Sequence, residues 1–414
     1  EIVEIQDFRL AYVCATNLLE SEPQNTDALL VLARAAQELG QMEFADSLAK
    51  EARTHELTTG QRFAAYLISG MAQASQQNLT SAKILLYRAS DFARLEPEHA
   101  IVRNVLTQIA SQSPWRVSVV GNVLPSSNIN SGSMHETIEL GGFEFILDED
   151  AKAQSGIGYS VSAEATHRQR VSSRTIWENT LSASGTAFDG RGRNDAQFQV
   201  TTGLRFTPAA NVPSLAYGFV AFSRQFIADE IGGAAVAPYS PYYTQTIVGA
   251  EYHRNAGTNA AWNVYATFAS RKSDISATQD ALIAKDGGAY TIAWRENLTF
   301  GVDAYAEQTA SEAADTAAKA LNVFFEAKYA PDSLPLTLSG VLGYTHTAYE
   351  HLMAGYSDLR VDDDVSVELA VTHDNIHFYG FNPTFGVKLT RDFSNLARYD
   401  MENVQAFTRL STSF

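Results

Sequence analysis

The sequence predicts two fold classes joined end to end. Residues 1–112 form a short helical repeat domain and, after a linker at 113–115, residues 116–414 form a fourteen-stranded antiparallel transmembrane β-barrel. Three observations carry that expectation. Up to about Gln112 the apolar residues recur at helical spacing, and from Ser113-Pro114-Trp115 onward the period falls to two. The last segment, Asn403 to Phe414, alternates an uncharged parity (Val404, Ala406, Thr408, Leu410, Thr412, Phe414) with one holding Asn403, Gln405, Arg409, Ser411 and Ser413, and ends on an aromatic residue.

The chain has 414 residues, is 45% hydrophobic and carries a net charge of -17, with a mean hydropathy of -0.15. No run approaches the roughly 20 apolar residues that a membrane helix needs, which excludes a helical membrane protein. A barrel passes the same test, because each strand interleaves a lipid-facing parity with a polar lumen-facing one. The 18 Tyr and 22 Phe suit girdles at the two membrane interfaces, so membrane lipid is an expected partner. The acidic balance argues against nucleic acid, which requires clustered Lys and Arg. The single cysteine, Cys14, falls in an apolar helical pattern and reads as a small core residue. The chain begins at Glu1 without a charged and apolar leader, which suits an exported protein whose signal peptide has been removed.

In the helical part, small residues fall at a repeat spacing. Ala11, Ala45 and Ala82 open second helices, and Ala52 and Ala89 follow seven residues after the last two. Leu29, Leu32, Ala33, Gly40, Ala45 and Ala52 match the tetratricopeptide pattern, and Tyr66, Gly70, Ala82 and Ala89 give a looser second copy. Small side chains at these positions let paired helices approach closely while larger ones fill the gaps between hairpins. Pro23 and Pro97 are placed as helix terminators, and the turn at Thr58-Thr59-Gly60 as a lengthened one. The expected organisation is a half repeat, two repeats and a closing helix over Ala100 to Ala110.

Alternating segments then follow in order: Arg116 to Leu124, Gly158 to His167, Thr175 to Ala187, Ala196 to Phe206, Ser214 to Gln225, Thr244 to Arg254 and Ala260 to Arg271. They continue as Ala289 to Arg295, Asn297 to Glu307, Ala320 to Tyr329, Leu336 to Tyr349, Asp364 to Thr372, Thr384 to Arg391 and Asn403 to Phe414. An even count is what a single-chain barrel requires. Short turns (Arg168 to Arg174, Thr207 to Pro213, Asn255 to Asn259, Arg295-Glu296, Ala330 to Pro335, His373 to Pro383) are expected to alternate with longer loops. The longer set includes Ile227 to Tyr243, Lys272 to Gly288, Thr309 to Lys319 and Asp392 to Glu402. The first long loop holds a further alternating stretch over 135–147, read as a lumenal or extracellular hairpin, with an additional strand that shifts the count to sixteen as the alternative.

Phased by their apolar sides, the strands point Glu164, Gln199, Glu251, Asp303, Glu307, Glu326, Lys328, Glu368, Lys388 and Arg409 into the lumen. Charges on the lipid side would cost about 2–4 kcal/mol each near the midplane, so their shared parity supports a barrel. They solvate a wet lumen, or else contact a passing polypeptide. Catalysis finds no support. His346 and His351 flank a loop with Ser357 and Asp358, and His373-Asp374 lies at a turn, but neither arrangement has a nucleophile at an informative spacing. The Gly-Gly pairs at 141–142, 232–233 and 287–288 are assigned to loops or bulges and follow no phosphate-binding pattern. With no metal-ligand spacing either, no enzyme, cofactor or metal is expected.

Local motifs carry a resemblance. The last strand, through Leu410, Thr412 and Phe414, is similar to the signal by which the barrel assembly machinery recognises an outer-membrane client. The stretch Gly121 to Asn130 ends in Asn128-Ile129-Asn130, Asp150 to Gly158 approaches the second strand, and Phe393 to Asp400 contains Ser394, Asn395, Tyr399 and Asp400. In this order, behind helical repeats, these patches resemble the surface lipoprotein assembly modulators, outer-membrane proteins with a periplasmic tetratricopeptide domain and a fourteen-stranded barrel. The resemblance implies passage of a lipoprotein or secreted protein to the cell surface of a Gram-negative bacterium, with the repeats engaging the client or its chaperone in the periplasm. The alternative is an exopolysaccharide export porin with a tetratricopeptide adaptor, which the mixed, acid-leaning lumen disfavours.

Overall fold

The computed structural model describes residues 7–189, 194–208, 214–228, 239–373, 376 and 381–413. Residues 190–193, parts of the expected connections Thr207 to Pro213, Ile227 to Tyr243 and His373 to Pro383 (209–213, 229–238, 374–375 and 377–380), the glycine pair at 232–233 and the terminal Phe414 lie outside them. Clustering of contacts divides the chain into two compact units, one mainly helical and one mainly β.

The described helices are α1 (Phe8–Ser21), α2 (Thr26–Glu38), α3 (Met42–Ala52), α4 (Thr59–Ser75), α5 (Leu79–Phe92) and α6 (Glu96–Gln112). Side-chain caps start three of them: Asp7 accepts from Leu10 N–H, Asn25 from Ala28 N–H, and Thr58 forms a reciprocal capping box with Gln61. Ala33, Ala45, Ala52, Ala82 and Ala89 are fully buried. Leu29, Leu32, Leu48 and Ile68 fill one cluster around them, and Phe63, Leu86, Val102 and Ile109 another. A Cβ on Gly70 would stand 2.8 Å from Leu86 Cγ, so only glycine lets α4 and α5 meet there. Gly40 has a different duty. Its surroundings are open, but its φ of +80° turns the chain between α2 and α3.

Three helical expectations need correction. Pro97 starts a helix instead of ending one, because it sits in the first turn of α6, where its missing N–H has no partner to lose. Thr59 and Gly60 already belong to α4, and the lengthened connection runs over 53–58. Cys14 is exposed, because α1 buries only Ala11 and Ala15 and leaves a stripe with Leu10, Val13 and Leu18 uncovered.

The β unit is one closed antiparallel barrel of fourteen strands. These are β1 (Trp115–Ser126), β4 (Gly156–Arg170), β5 (Thr175–Phe188), β6 (Asn194–Phe206), β7 (Ser214–Ala228), β8 (Ser240–Ala256) and β9 (Ala260–Ser273). The others are β10 (Ala281–Arg295), β11 (Leu298–Ser311), β12 (Ala318–Tyr329), β13 (Leu336–Tyr349), β14 (Val361–His373), β15 (Asn382–Ser394) and β16 (Met401–Ser413). Each pairs with its sequence neighbour, and β1 closes the ring between β16 and β4. The remaining strands, β2 (Thr137–Leu140) and β3 (Phe143–Ile146), form a separate two-stranded hairpin and add nothing to the wall.

The largest boundary error is at β10, which begins eight residues before the expected Ala289 and pairs without interruption from Ala281 to Ala293 against β11. The Lys272 to Gly288 loop therefore contracts to 274–280, and Gly287-Gly288 lies inside a regular strand. Strands elsewhere lengthen at the expense of loops as well, so the expected alternation of short and long connections is weaker than the sequence suggests. We call the rim where β1 begins the near rim and the opposite one the far rim.

Candidate functional site

Exposed apolar residues such as Val161, Leu181, Val220, Phe268, Leu342, Leu369 and Leu389 share the outer parity of their strands. Glu164, Gln199, Glu251, Asp303, Glu307, Glu326, Lys328, Glu368, Lys388 and Arg409 stand on the other parity. Several of these meet: Lys328 Nζ lies 2.7 Å from Glu326, Glu368 is opposite Lys388 in register, and Arg409 lies 3.7 Å from Glu368. Arg409 Nε also donates to Asn122 Oδ1 across the β1/β16 seam at 3.2 Å. The Tyr265 hydroxyl donates to Asp303 at 3.1 Å.

Two interior clusters escaped the sequence reading. Glu178 is buried and bridged at 2.7 Å by both Arg168 and Arg205, and Arg205 stacks over the Tyr217 ring at 4.4 Å. The sequence places Arg168 in a turn, but its charge has a partner one strand away and β4 runs on to Arg170. Lys285 Nζ sits 3.6 Å above the Tyr305 ring and 5.9 Å from that of Tyr265. Interior rings also lie flat against glycines of neighbouring strands: a Cβ on Gly343 would stand 2.8 Å from the Phe324 ring, and one on Gly158 would stand 2.7 Å from that of Phe188. Glycine there lets a ring cover the backbone without projecting across the lumen.

At the far rim the loop motifs converge into one network. Asn128 is buried; its side chain donates to the carbonyls of Gly132 (2.9 Å) and Glu402 (3.2 Å) and accepts from Gly132 N–H at 2.8 Å. Asn130 donates to the carbonyls of Asp150 and Lys152 at 3.0 and 2.8 Å and accepts from Gln154 N–H. Asn395 holds Leu359 and Val361 at 2.8 Å each, and Ser394 Oγ accepts from Leu396 N–H. Tyr399 lies under the Arg360 guanidinium at 3.6 Å. Asp400 meets His135 Nε2 at 2.6 Å and is also bonded by Arg391. Burial raises its pKa, but the bonds from Arg391 and His135 outweigh that, and the carboxyl sits below its ordinary range. Asn403, read from the sequence only as a polar strand position, accepts from Ser126 Oγ at 2.8 Å and from Asn128 N–H at 3.2 Å. Together with Ser127 N–H donating to the Val404 carbonyl at 3.0 Å, these bonds tie the loop after β1 to the start of β16. Asparagine suits this work because one amide both donates and accepts.

Of the terminal trio, Leu410 lies in the exposed outer belt and Thr412 is buried. The helical unit offers a groove of about 550 Å³ lined by Leu30, Val31, Leu67, Met71 and Ile101, with Asp27 and Arg34 at its edge. Among the described residues no group of His, Cys, Asp and Glu is arranged to hold a metal ion, and no helix is long and apolar enough to cross a membrane.

A closed antiparallel barrel with an apolar outer belt and a charged interior, preceded by helices, defines an outer-membrane β-barrel protein. More narrowly, the chain belongs to the surface lipoprotein assembly modifier family, whose model matches residues 115–414. Solved structures to which it is similar include an outer-membrane channel from Pseudomonas putida F1, at 12% identity over 73% of this chain and 96% of that one with a TM-score of 0.37. CdiB from Escherichia coli is 12% identical over 72% of this chain and 63% of its own, with a TM-score of 0.41. Over the helices, the first tetratricopeptide repeat domain of Spaghetti, bound to an HSP90 peptide, is 23% identical over 27% of this chain and 83% of its own, with a TM-score of 0.23. No curated protein matches the chain in sequence.

Proposed function

We propose that the protein moves lipoproteins or secreted proteins across the outer membrane to the cell surface, with the helical repeats docking the client in the periplasm. The observation that carries this reading is the family match over 115–414. The uncovered groove between α2, α4 and α6 supports it, since an apolar segment laid there would leave water at a gain of roughly 25 cal/mol per Å². A lumen lined by carboxylates, cations and flat rings offers a polypeptide hydrogen-bonding and stacking partners along its whole length. Assembly of the barrel would engage the insertion machinery through Leu410, Thr412 and Phe414.

The test replaces Val31 and Ile101, a partly exposed pair on the groove, with Glu. The expected result is a heat-modifiable barrel in the outer membrane with the client retained inside the cell envelope. Undiminished surface display by the double variant would remove the groove from the account.

A further inference from the structure

Asp286 breaks the pattern of the outer face. β10 keeps an unbroken register, so Asp286 stands on the same side as the exposed Leu282 and Tyr290, while Lys285 beside it turns inward onto Tyr305. Three other outward charges have partners: Asp363 accepts from Tyr344 at 2.7 Å and meets His346 at 2.9 Å, Lys319 lies 2.8 Å from Glu350, and Arg224 lies 3.1 Å from Asp274. Arg254, Lys272 and Glu402 have none among the described residues, but they stand at strand ends, whereas Asp286 lies well inside β10. Asp286 makes no side-chain hydrogen bond or ion pair with any described residue.

The carboxylate also lies in a trough. Cross-strand pairing puts Gly218, Ala250, Ala266, Asp286 and Ala306 in one row across five strands. Val220, Val248 and Phe268 rise on the far-rim side of that row and Phe206, Tyr252 and Val264 on the near-rim side. The part over β6 to β9 is an apolar groove of about 550 Å³ on the outer wall.

We propose that this trough holds the N-acylated, lipid-bearing terminal cysteine of a client, with its acyl chains against the apolar walls and its amide N–H donating to Asp286. The proposal rests on the transport reading above and deepens it. Acyl chains drawn through the charged lumen would meet water, whereas along the outer wall they stay in hydrocarbon throughout. A lone carboxylate in that setting needs a donor. Beside their acyl chains glycerophospholipids bring ester carbonyls, which only accept; a donor such as the ethanolamine ammonium sits out in the head group, whereas Asp286 lies well inside β10. An amide between acyl chains supplies the donor without added charge.

The experiment places a photoreactive benzoylphenylalanine at Tyr252 in the full chain, reconstituted in phosphatidylethanolamine vesicles. The probes are a peptide carrying a triacylated cysteine, the same peptide without acyl chains, and lipid A. Labelling by the acylated peptide alone is expected, reduced about tenfold by Asp286→Ala, the loss of a charge-assisted hydrogen bond, and abolished by Ala266→Leu, which fills the floor. Both substitutions suit a lipid-facing wall, so barrel assembly should persist. Unchanged labelling in both variants, equal labelling by lipid A, or a crosslinked pair of protein copies would each overturn the proposal. Surface display in the groove double variant separates the two ideas: if display still depends on the helical groove while Asp286→Ala has no effect, the trough fails and the transport reading stands.

Discussion

The helical unit turns its alanines inward, with Ala33, Ala45 and Ala82 fully buried, while the barrel turns Ala250, Ala266 and Ala306 outward into its exposed belt. Both arrangements use the absence of a side chain, for different ends. Between helices it permits close approach, and stability there depends on a dry core that any lost methyl group degrades. On the barrel wall it lowers the surface beside larger neighbours, and stability depends on the strand ladder and on which parity carries charge. Damage should therefore remain within the unit where it is made.

The largest effect is expected from Leu86→Ala, which empties a fully buried site between α4 and α5 and should cost the helical unit about 2–5 kcal/mol. Urea unfolding followed by helical circular dichroism reads it, with the heat-modifiable migration of the barrel unchanged. Loss of both together would break the comparison. Next, Leu369→Arg on the exposed face of β14 should cost about 2–4 kcal/mol, and Glu368→Gln, one residue away on the opposite parity, within about 1 kcal/mol. Equal costs would mean that parity does not separate lipid from lumen.

Asn403→Ala should cost about 1–3 kcal/mol, because buried partners lose their acceptor. Its signature is local: faster amide exchange over 127–135 with the other strands unaffected. The smallest effect concerns pH. Burial pushes the Asp46 carboxyl up, but bonds from Lys50 (2.7 Å) and Gln73 (2.6 Å), with Ser69 alongside, bring it below its ordinary value. A depressed carboxylate stabilises the fold above the unfolded pKa near 4 and loses that contribution as pH falls through the folded value. The helical melting temperature should therefore fall below about pH 4 in the native chain, and Asp46→Asn should be less stable at neutral pH with a flatter acid limb.

Much of the fold was legible because period and parity are local properties. Helical spacing before Gln112 and alternation after Trp115 located both units, and each of the fourteen segments falls on a wall strand that mostly runs beyond it. Reading failed where a local cue opposed a long-range one. Lys285-Asp286-Gly287-Gly288 looks like a loop by composition, yet two neighbouring strands hold it in the ladder and Lys285 finds rings on both. Arg168 reads as a turn residue until Glu178 is seen opposite it. At the far rim the asparagine motifs could be named but not paired, because Asn128 and Asn403 lie at opposite ends of the barrel sequence and meet only on closure. Nothing local marked Asn403, Ser133 or His135, whose partners follow from that closure.

The central claim is passage of lipidated clients to the cell surface, and it is tested most directly by comparing the protease-accessible, metabolically acyl-labelled proteins of cells with and without this chain. The account predicts that removing the chain strips one or more labelled proteins from the exterior while they accumulate, intact and acylated, inside the envelope. An unchanged set of surface lipoproteins accompanied by loss of a polysaccharide coat would contradict it.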